Sequence, residues 1–83
     1  MKAVKIKKNG GPEVLDLEEI TLRKPIKGEV LIEHAAIGLN YIDTYHRSGL
    51  YPLNLPSGIG AEGAGIIKEI GSNVKQFKVG DKV

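Results

Sequence analysis

The feature that most constrains the fold of this chain is how often turn-forming residues interrupt it. Glycine and proline supply positive or fixed φ angles, and Asn, Asp and Ser bond back to their own main chain, so clusters of these residues end helices and strands. Such clusters separate short apolar segments along all 83 residues, at positions 9–12, 23–28, 52–58, 71–73 and 80–81. Short segments between frequent turns predict a mainly β, barrel-like fold with one short helix.

The first segments predict a β-hairpin. Val4 and Ile6 alternate with lysines, the period of two expected of a strand with one wet face. Residues 9–12 then form a turn, and residues 14–22 return as the second strand. A bulge is expected at Glu18–Glu19, where the apolar pattern changes phase.

The middle of the chain predicts a strand followed by a short helix. Residues 29–39 are the most apolar stretch and are rich in β-branched side chains, which predicts a strand buried on much of both faces. Residues 40–49 suit a helix of about two turns. Asn40 is the expected N-cap, Asp43 favours the positive first turn and Gly49 suits the end.

The last third predicts a loop and further short strands. Pro52 and Pro56 each lack a ladder donor, so the segment that contains them is expected to be an ordered loop or an edge. The apolar residues after Ala64 lie between turns, as in short strands.

Gly58, Gly60 and Gly63 have the spacing G-x-G-x-x-G of a dinucleotide-binding turn. That turn needs a buried strand before it and a full helix after it, because the pyrophosphate sits on the N-terminus of the helix. Prolines precede the motif, and Gly65 and Gly71 follow it, which would cost a short helix about 2 kcal/mol relative to alanine. We therefore expect these glycines to permit close backbone approach and positive φ at a strand entry. A dinucleotide-binding domain built on them is a third hypothesis.

Composition excludes several classes of protein. Twelve Lys and Arg against ten Asp and Glu give a net charge of +2 without a basic block, and aromatic residues make up only 5%, so no nucleic-acid binding is expected. The absence of cysteine excludes disulfides and thiolate metal sites. The N-terminus has no uninterrupted apolar run, which predicts neither a signal peptide nor a membrane span. We expect a cytoplasmic protein without a membrane partner.

Residues 56–83, PSGIGAEGAGIIKEIGSNVKQFKVGDKV, resemble the catalytic-domain signature of the medium-chain dehydrogenase/reductase superfamily. Its core is G-H-E-x-x-G, five residues, Gly, two residues and Val, and the matching positions are Gly60, Glu62, Gly65, Gly71 and Val74. The opening residues look like the same family, so the resemblance covers the whole chain. It implies the N-terminal portion of a GroES-like barrel catalytic domain.

Two departures from the pattern point to one branch of the superfamily. Ala61 stands where zinc-dependent members have a histidine ligand, and Asn40 stands where they have a cysteine ligand. A catalytic zinc needs three protein ligands, and with only His34 and His46 remaining no metal site is expected. Residues 38–65 look like the zinc-free, zeta-crystallin-like quinone oxidoreductase branch.

The resemblance implies NADPH-dependent reduction of quinones or related conjugated carbonyls by hydride transfer, in a full-length protein that is a homodimer. Residues 1–83 would be part of the substrate-side catalytic domain. A nucleotide-binding domain outside them would hold most of the NADPH, so we expect the isolated chain to be inactive.

By the same resemblance Asn40, Tyr45 and Tyr51 line the active-site cleft as catalytic candidates, and Asn40 also contacts the cofactor. A carboxamide donates and accepts hydrogen bonds, and phenols add donors on rings that can lie against a flat quinone. Each has a structural alternative: Asn40 as a helix N-cap, Tyr45 as a core aromatic, and Tyr51 as loop packing.

Three other polar residues have roles that the sequence leaves open. His34 is expected to be a core or interface histidine, and Glu62 a buried carboxylate with a structural or positioning role. Asp43 either pairs with His46 on the helix or helps to position the site. For the whole chain, the alternative to an enzyme is a non-enzymatic GroES-like β module that assembles through its open sheet edge.

Overall fold

The computed structural model describes all 83 residues and confirms a mainly β protein with one short α-helix. The elements in chain order are β1 (Lys2–Ile6), β2 (Asp16–Glu19), β3 (Val30–Gly38), α1 (Ile42–Ser48), β4 (Ser57–Gly58) and β5 (Glu62–Ile70), with one 3-10 turn at Pro12–Val14. They form two compact units, each made of two separate stretches of chain. The first unit contains Met1–Thr21 and Gly38–Ala61, and the second contains Leu22–Ile37 and Glu62–Val83.

The first unit contains a three-stranded antiparallel sheet in the order β2-β1-β4. The predicted hairpin of β1 and β2 is confirmed. The predicted bulge is wrong, because the register between the two strands runs without interruption from Lys2 opposite Glu19 to Lys5 opposite Asp16. The change of phase in the sequence marks the end of β2 at Glu19 instead, after which the Ile20 N–H still donates to the Met1 carbonyl at 2.8 Å.

The turn after β1 contains a buried residue, Val14, and is hydrogen-bonded to the end of the helix α1. Pro12 fixes the first φ of the 3-10 turn, and Val14 at the end of this turn is buried, as is Ile6 of the same unit. Gly10 lies so close to Val14 that a Cβ there would be 2.7 Å from its side chain. The Gly10 N–H donates to the Arg47 carbonyl at 3.0 Å, and Arg47 Nε donates back to the Gly10 carbonyl at 3.2 Å. The end of α1 is therefore fastened to this turn.

The second unit contains the two-stranded sheet of β3 and β5, with Ile67 fully buried. The strand predicted at residues 29–39 is confirmed, but its predicted burial is wrong, because residues 33–37 are exposed. A strand in a two-stranded sheet has one neighbour only, so much of its surface stays open. Val83 pairs with Gly65 through two main-chain hydrogen bonds of 2.8 and 3.0 Å, which adds the last residues to the side of β5.

The loop predicted around the two prolines is confirmed, since residues 50–56 contain no strand and only the two-residue β4 follows them. No helix in the chain has the length and apolar character needed to cross a bilayer.

Candidate functional site

Asn40 lies in the turn that leads into α1. The helix begins at Ile42 and its N-cap is Tyr41, which makes no side-chain capping bond, so the predicted N-cap is wrong by one residue. Asn40 and Asp43 instead bond to each other, because the Asn40 N–H donates to Asp43 Oδ2 and the Asp43 N–H donates to the Asn40 carbonyl, both at 3.0 Å. This arrangement resembles a capping box, in which an acidic side chain in the first turn reaches back to a free main-chain N–H.

Asp43 is the buried charged residue of the chain, with only 4% of its surface exposed. One carboxylate oxygen accepts the bond from Asn40, and the other, Oδ1, is buried without a hydrogen-bond partner. No ion pair joins Asp43 to His46. The pairing with His46 is therefore not formed, and Asp43 fixes the turn at Asn40 through its hydrogen bond, while a part in positioning the site stays a prediction.

Tyr45 and Tyr51 lie ring to ring, with centroids 5.3 Å apart and planes at 75°. Hydrogen bonds to the main-chain carbonyl of Tyr45 bring the two rings together. The Tyr45 carbonyl accepts hydrogen bonds from the N–H of Gly49 at 3.0 Å, the N–H of Tyr51 at 3.2 Å and the hydroxyl of Ser48 at 3.2 Å. Gly49 has φ of 92°, the left-handed conformation that favours glycine, which ends the helix and turns the chain back towards Tyr45.

Tyr41 extends this pair to a group of three rings. Its centroid lies 5.5 Å from that of Tyr45, again at 75°, so Tyr41, Tyr45 and Tyr51 form a tyrosine cluster. His46 lies beside it, 6.4 Å from the ring of Tyr51. Sequence reasoning missed Tyr41, although its separation of four residues from Tyr45 is the spacing at which side chains meet on a helix.

The tyrosine cluster is not part of the hydrophobic core. Tyr41 is 76% exposed and Tyr51 is 50% exposed, while Tyr45 is partly buried. The buried apolar residues are Ile6, Val14 and Ile67, so Tyr45 is not the core aromatic of its structural alternative. The cluster can therefore offer phenol donors and open ring faces to a ligand.

Neither His34 nor Glu62 is buried, so the core alternative for His34 and the expected burial of Glu62 are wrong, while an interface role for His34 stays a prediction. His34 is exposed, and its ring lies against Gly63, where a Cβ would be 2.6 Å from Nδ1. Glu62 is also exposed, at the first residue of β5. Both residues lie on strands of a two-stranded sheet, where each strand has one neighbour only, and a sequence pattern does not reveal the number of neighbours.

The glycine motif is not a dinucleotide-binding turn. Gly63 lies within β5, so a strand follows the motif where that turn requires a helix. Gly60 has φ of 103° just before β5, and a Cβ on Gly65 would collide with the Glu33 carbonyl. The expected roles in strand entry and close backbone approach are confirmed, and the third hypothesis is wrong.

The second unit contains an ion pair between Arg23 and Glu29. Arg23 binds the Glu29 carboxylate through both terminal nitrogens, and the Ile26 N–H donates to Glu29 Oε1 at 3.1 Å. These bonds, that of Arg23 first, lower the pKa of Glu29 to about 2. An open groove of about 390 Å³ is lined in part by this pair and by Leu22 and Pro25. It contains none of the predicted site residues.

Metal ligands do not come together in this chain. No group of three His, Asp or Glu side chains is placed to hold a metal ion. The absence of a metal from the reaction stays a prediction.

Comparison with known proteins identifies close relatives of this chain. Residues 26–83 match the family model of the alcohol dehydrogenase GroES-like domain. The chain is 53% identical over 81 residues to quinone oxidoreductase 1 of Escherichia coli (strain K12), which covers 96% of this chain and 25% of the relative. It is 40% identical over 85 residues to the 2-haloacrylate reductase of a Burkholderia species, covering 98% of this chain and 26% of the relative.

A solved structure agrees with these sequence matches. The crystal structure of Escherichia coli quinone oxidoreductase complexed with NADPH superposes with a TM-score of 0.93 at 51% identity. The match covers 99% of this chain and 26% of that one. The chain thus spans about a quarter of the length of the relatives that it matches.

Proposed function

The chain belongs to the quinone oxidoreductase branch of the medium-chain dehydrogenase/reductase superfamily, and from this premise we propose that it forms the substrate-side part of an NADPH-dependent quinone reductase. Its acceptors would be quinones or related conjugated carbonyls, reduced without zinc. The observation that carries the proposal is the exposed tyrosine cluster next to the turn of Asn40. A homodimer and a cytoplasmic location remain predictions.

The residues of the chain fit the reactive end of the cofactor and not its phosphates. Exposed phenol rings and a carboxamide can contact a nicotinamide ring, and we propose Asn40 for that contact. The glycines at 58–63 run into β5 and form no pyrophosphate cradle. Most of the cofactor would therefore bind to protein outside residues 1–83, and the isolated chain would be inactive.

NADPH supplies the hydride, so the task of these residues is to hold the acceptor and stabilise the charge that develops on its oxygen. Tyr45 and Tyr51 carry phenol O–H groups that can donate hydrogen bonds to that oxygen. Their contact is set by the main chain, through the Tyr45 carbonyl, so the two donors are held ready before the acceptor arrives.

The test is NADPH oxidation with 1,4-benzoquinone, using the protein isolated from its own source, whose intact mass is measured first. We expect Tyr45→Phe and Tyr51→Phe each to lower kcat by about 10- to 100-fold, less than the loss of a sole oxyanion donor because the other phenol remains. Leu39→Ala is the control, because Leu39 is 89% exposed and has no donor. A double Phe variant with the kcat of the unaltered protein would overturn these roles.

One observation supports the non-enzymatic alternative. Residues 33–37 of β3 are exposed, and Ile37 has 74% of its surface open, so this strand could pair with another copy. Sedimentation discriminates the two functions. A defined oligomer that is independent of NADPH, in a protein that oxidises no NADPH, would support the module.

A further inference from the structure

We propose that Tyr41 is a specificity-determining residue, which extends the ring surface of Tyr45 and favours acceptors of two fused rings over single-ring quinones. This inference rests on the proposed function, because it names the class of acceptor that the same site prefers.

Helix capping does not explain a tyrosine at this position. The residues that usually cap a helix have short side chains that bond to a free main-chain N–H, and Tyr41 makes no such bond. Tyr41 is 76% exposed, so it adds little to the core. The chain has only three tyrosines and one phenylalanine, and all three tyrosines lie in this cluster.

The geometry of the cluster leaves ring faces open. Tyr41 contacts one aromatic ring, that of Tyr45, in an edge-to-face arrangement. One partner can cover only one face of a ring, so at least one face of Tyr41 has no aromatic neighbour. Its high exposure indicates that this face is accessible to a ligand.

The electronic character of the open face selects the kind of ligand. The face of a phenol ring is electron-rich, and the ring of a quinone is electron-poor because its two carbonyl groups withdraw charge, so offset stacking between them is favourable. A single-ring acceptor whose oxygen is held by Tyr45 and Tyr51 leaves Tyr41 uncovered. A second fused ring can lie against Tyr41 and gain this contact.

The experiment compares 1,4-naphthoquinone with 1,4-benzoquinone in the full protein at saturating NADPH. We expect Tyr41→Ala to lower the ratio of the two kcat/KM values, naphthoquinone over benzoquinone, by about 2- to 12-fold, the range of a lost aromatic pair. The loss should lie in KM for naphthoquinone. Tyr41→Phe keeps the ring and should keep the ratio, and so should Leu39→Ala, which removes an exposed apolar side chain two residues away.

The possible results separate the two proposals. If neither quinone is reduced with NADPH, the proposed function fails and this inference fails with it. If both are reduced and Tyr41→Ala leaves the ratio unchanged, only the inference is overturned. A raised KM for NADPH with both acceptors would assign Tyr41 to the cofactor, and a loss in Tyr41→Phe equal to that in Tyr41→Ala would assign the effect to the hydroxyl group. Either result would overturn the preference for two rings.

Discussion

At the scale of single residues, Asp43 shows what the sequence pattern can and cannot predict. Its place in the first turn of the helix follows from the sequence, because a carboxylate is stabilised near a helix N-terminus. Its burial does not, since burial depends on how the turn at Asn40 packs. Tyr45 and Tyr51 were identified by resemblance, and their ring contact depends on a carbonyl that accepts three hydrogen bonds, which no local pattern specifies.

Removal of the Asp43 carboxylate should destabilise the protein. Asp43→Ala leaves the Asn40 N–H without its acceptor, and we expect a loss of about 1–2 kcal/mol in the free energy of unfolding, the usual cost of a lost cap. The loss is moderated because Oδ1, which is buried without a partner, is removed as well. Urea denaturation measures the change.

Asp16→Ala is the matched control for Asp43, because Asp16 is an exposed aspartate in β2. We expect its effect to stay within about 0.5 kcal/mol. Equal losses in the two variants would contradict the role of Asp43 in fixing the turn.

At the scale of elements, the positions of the strands along the chain were more predictable than their burial. The period of two in β1 and the turn after it were sufficient to predict the hairpin. The exposure of β3 was not predictable from its apolar composition, because burial is set by the number of neighbouring strands. The start of α1 was displaced by one residue, since Asn40 bonds to Asp43 through its main chain and leaves the cap position to Tyr41.

Gly65 should be the glycine of β5 that is least tolerant of a side chain. A Cβ there would collide with the Glu33 carbonyl and would lie 2.8 Å from the Cα of His34, and these are main-chain atoms that cannot rotate away. We expect Gly65→Ala to cost about 1–3 kcal/mol of unfolding free energy, as overpacking usually does.

Gly58→Ala tests whether this effect comes from the contact or from the loss of a glycine. Gly58 lies in β4, and a Cβ there would meet nothing within 4 Å. Thermal unfolding should show a change below about 0.5 kcal/mol for this variant. A Gly65→Ala protein as stable as Gly58→Ala would refute the close contact with β3.

The turn between β2 and β3 should respond to acid through Glu29. Its pKa is lowered in the folded protein from 4.5 to about 2, first by the hydrogen bond from Arg23, so the ionised form stabilises the fold. This contribution is complete above about pH 4.5 and is lost as the pH falls towards 2. The difference in melting temperature between the unaltered protein and Glu29→Gln should therefore shrink as the pH is lowered from about 4.5 towards 2.

Arg23→Gln provides the check on this pH dependence. Without Arg23, the Ile26 N–H is the remaining donor to the Glu29 side chain. The difference in melting temperature between Arg23→Gln and the double variant Arg23→Gln/Glu29→Gln should therefore vary much less with pH. The interpretation would be wrong if the two comparisons had the same pH dependence.

At the scale of the whole molecule, the class of fold and the family were both accessible from the sequence. Frequent turns predicted the mainly β architecture, and the positions from Gly60 to Val74 carried the resemblance. The acceptor preference proposed for Tyr41 was not accessible, because it depends on three rings being brought together by the end of a helix and the loop after it.

The division of each unit between two distant stretches of chain has a consequence for synthesis on the ribosome. Strand β1 can pair with β2 as soon as Glu19 has emerged, but its other neighbour, β4, begins only at Ser57. At about 5–20 residues per second, that interval lasts roughly 2–8 s. During this interval one side of β1 has open main-chain groups, so the nascent hairpin must stay soluble while one of the two neighbours of β1 is still to be translated. The lysines at positions 2, 5, 7 and 8 lie on or beside that strand, where their charge discourages pairing with another nascent chain.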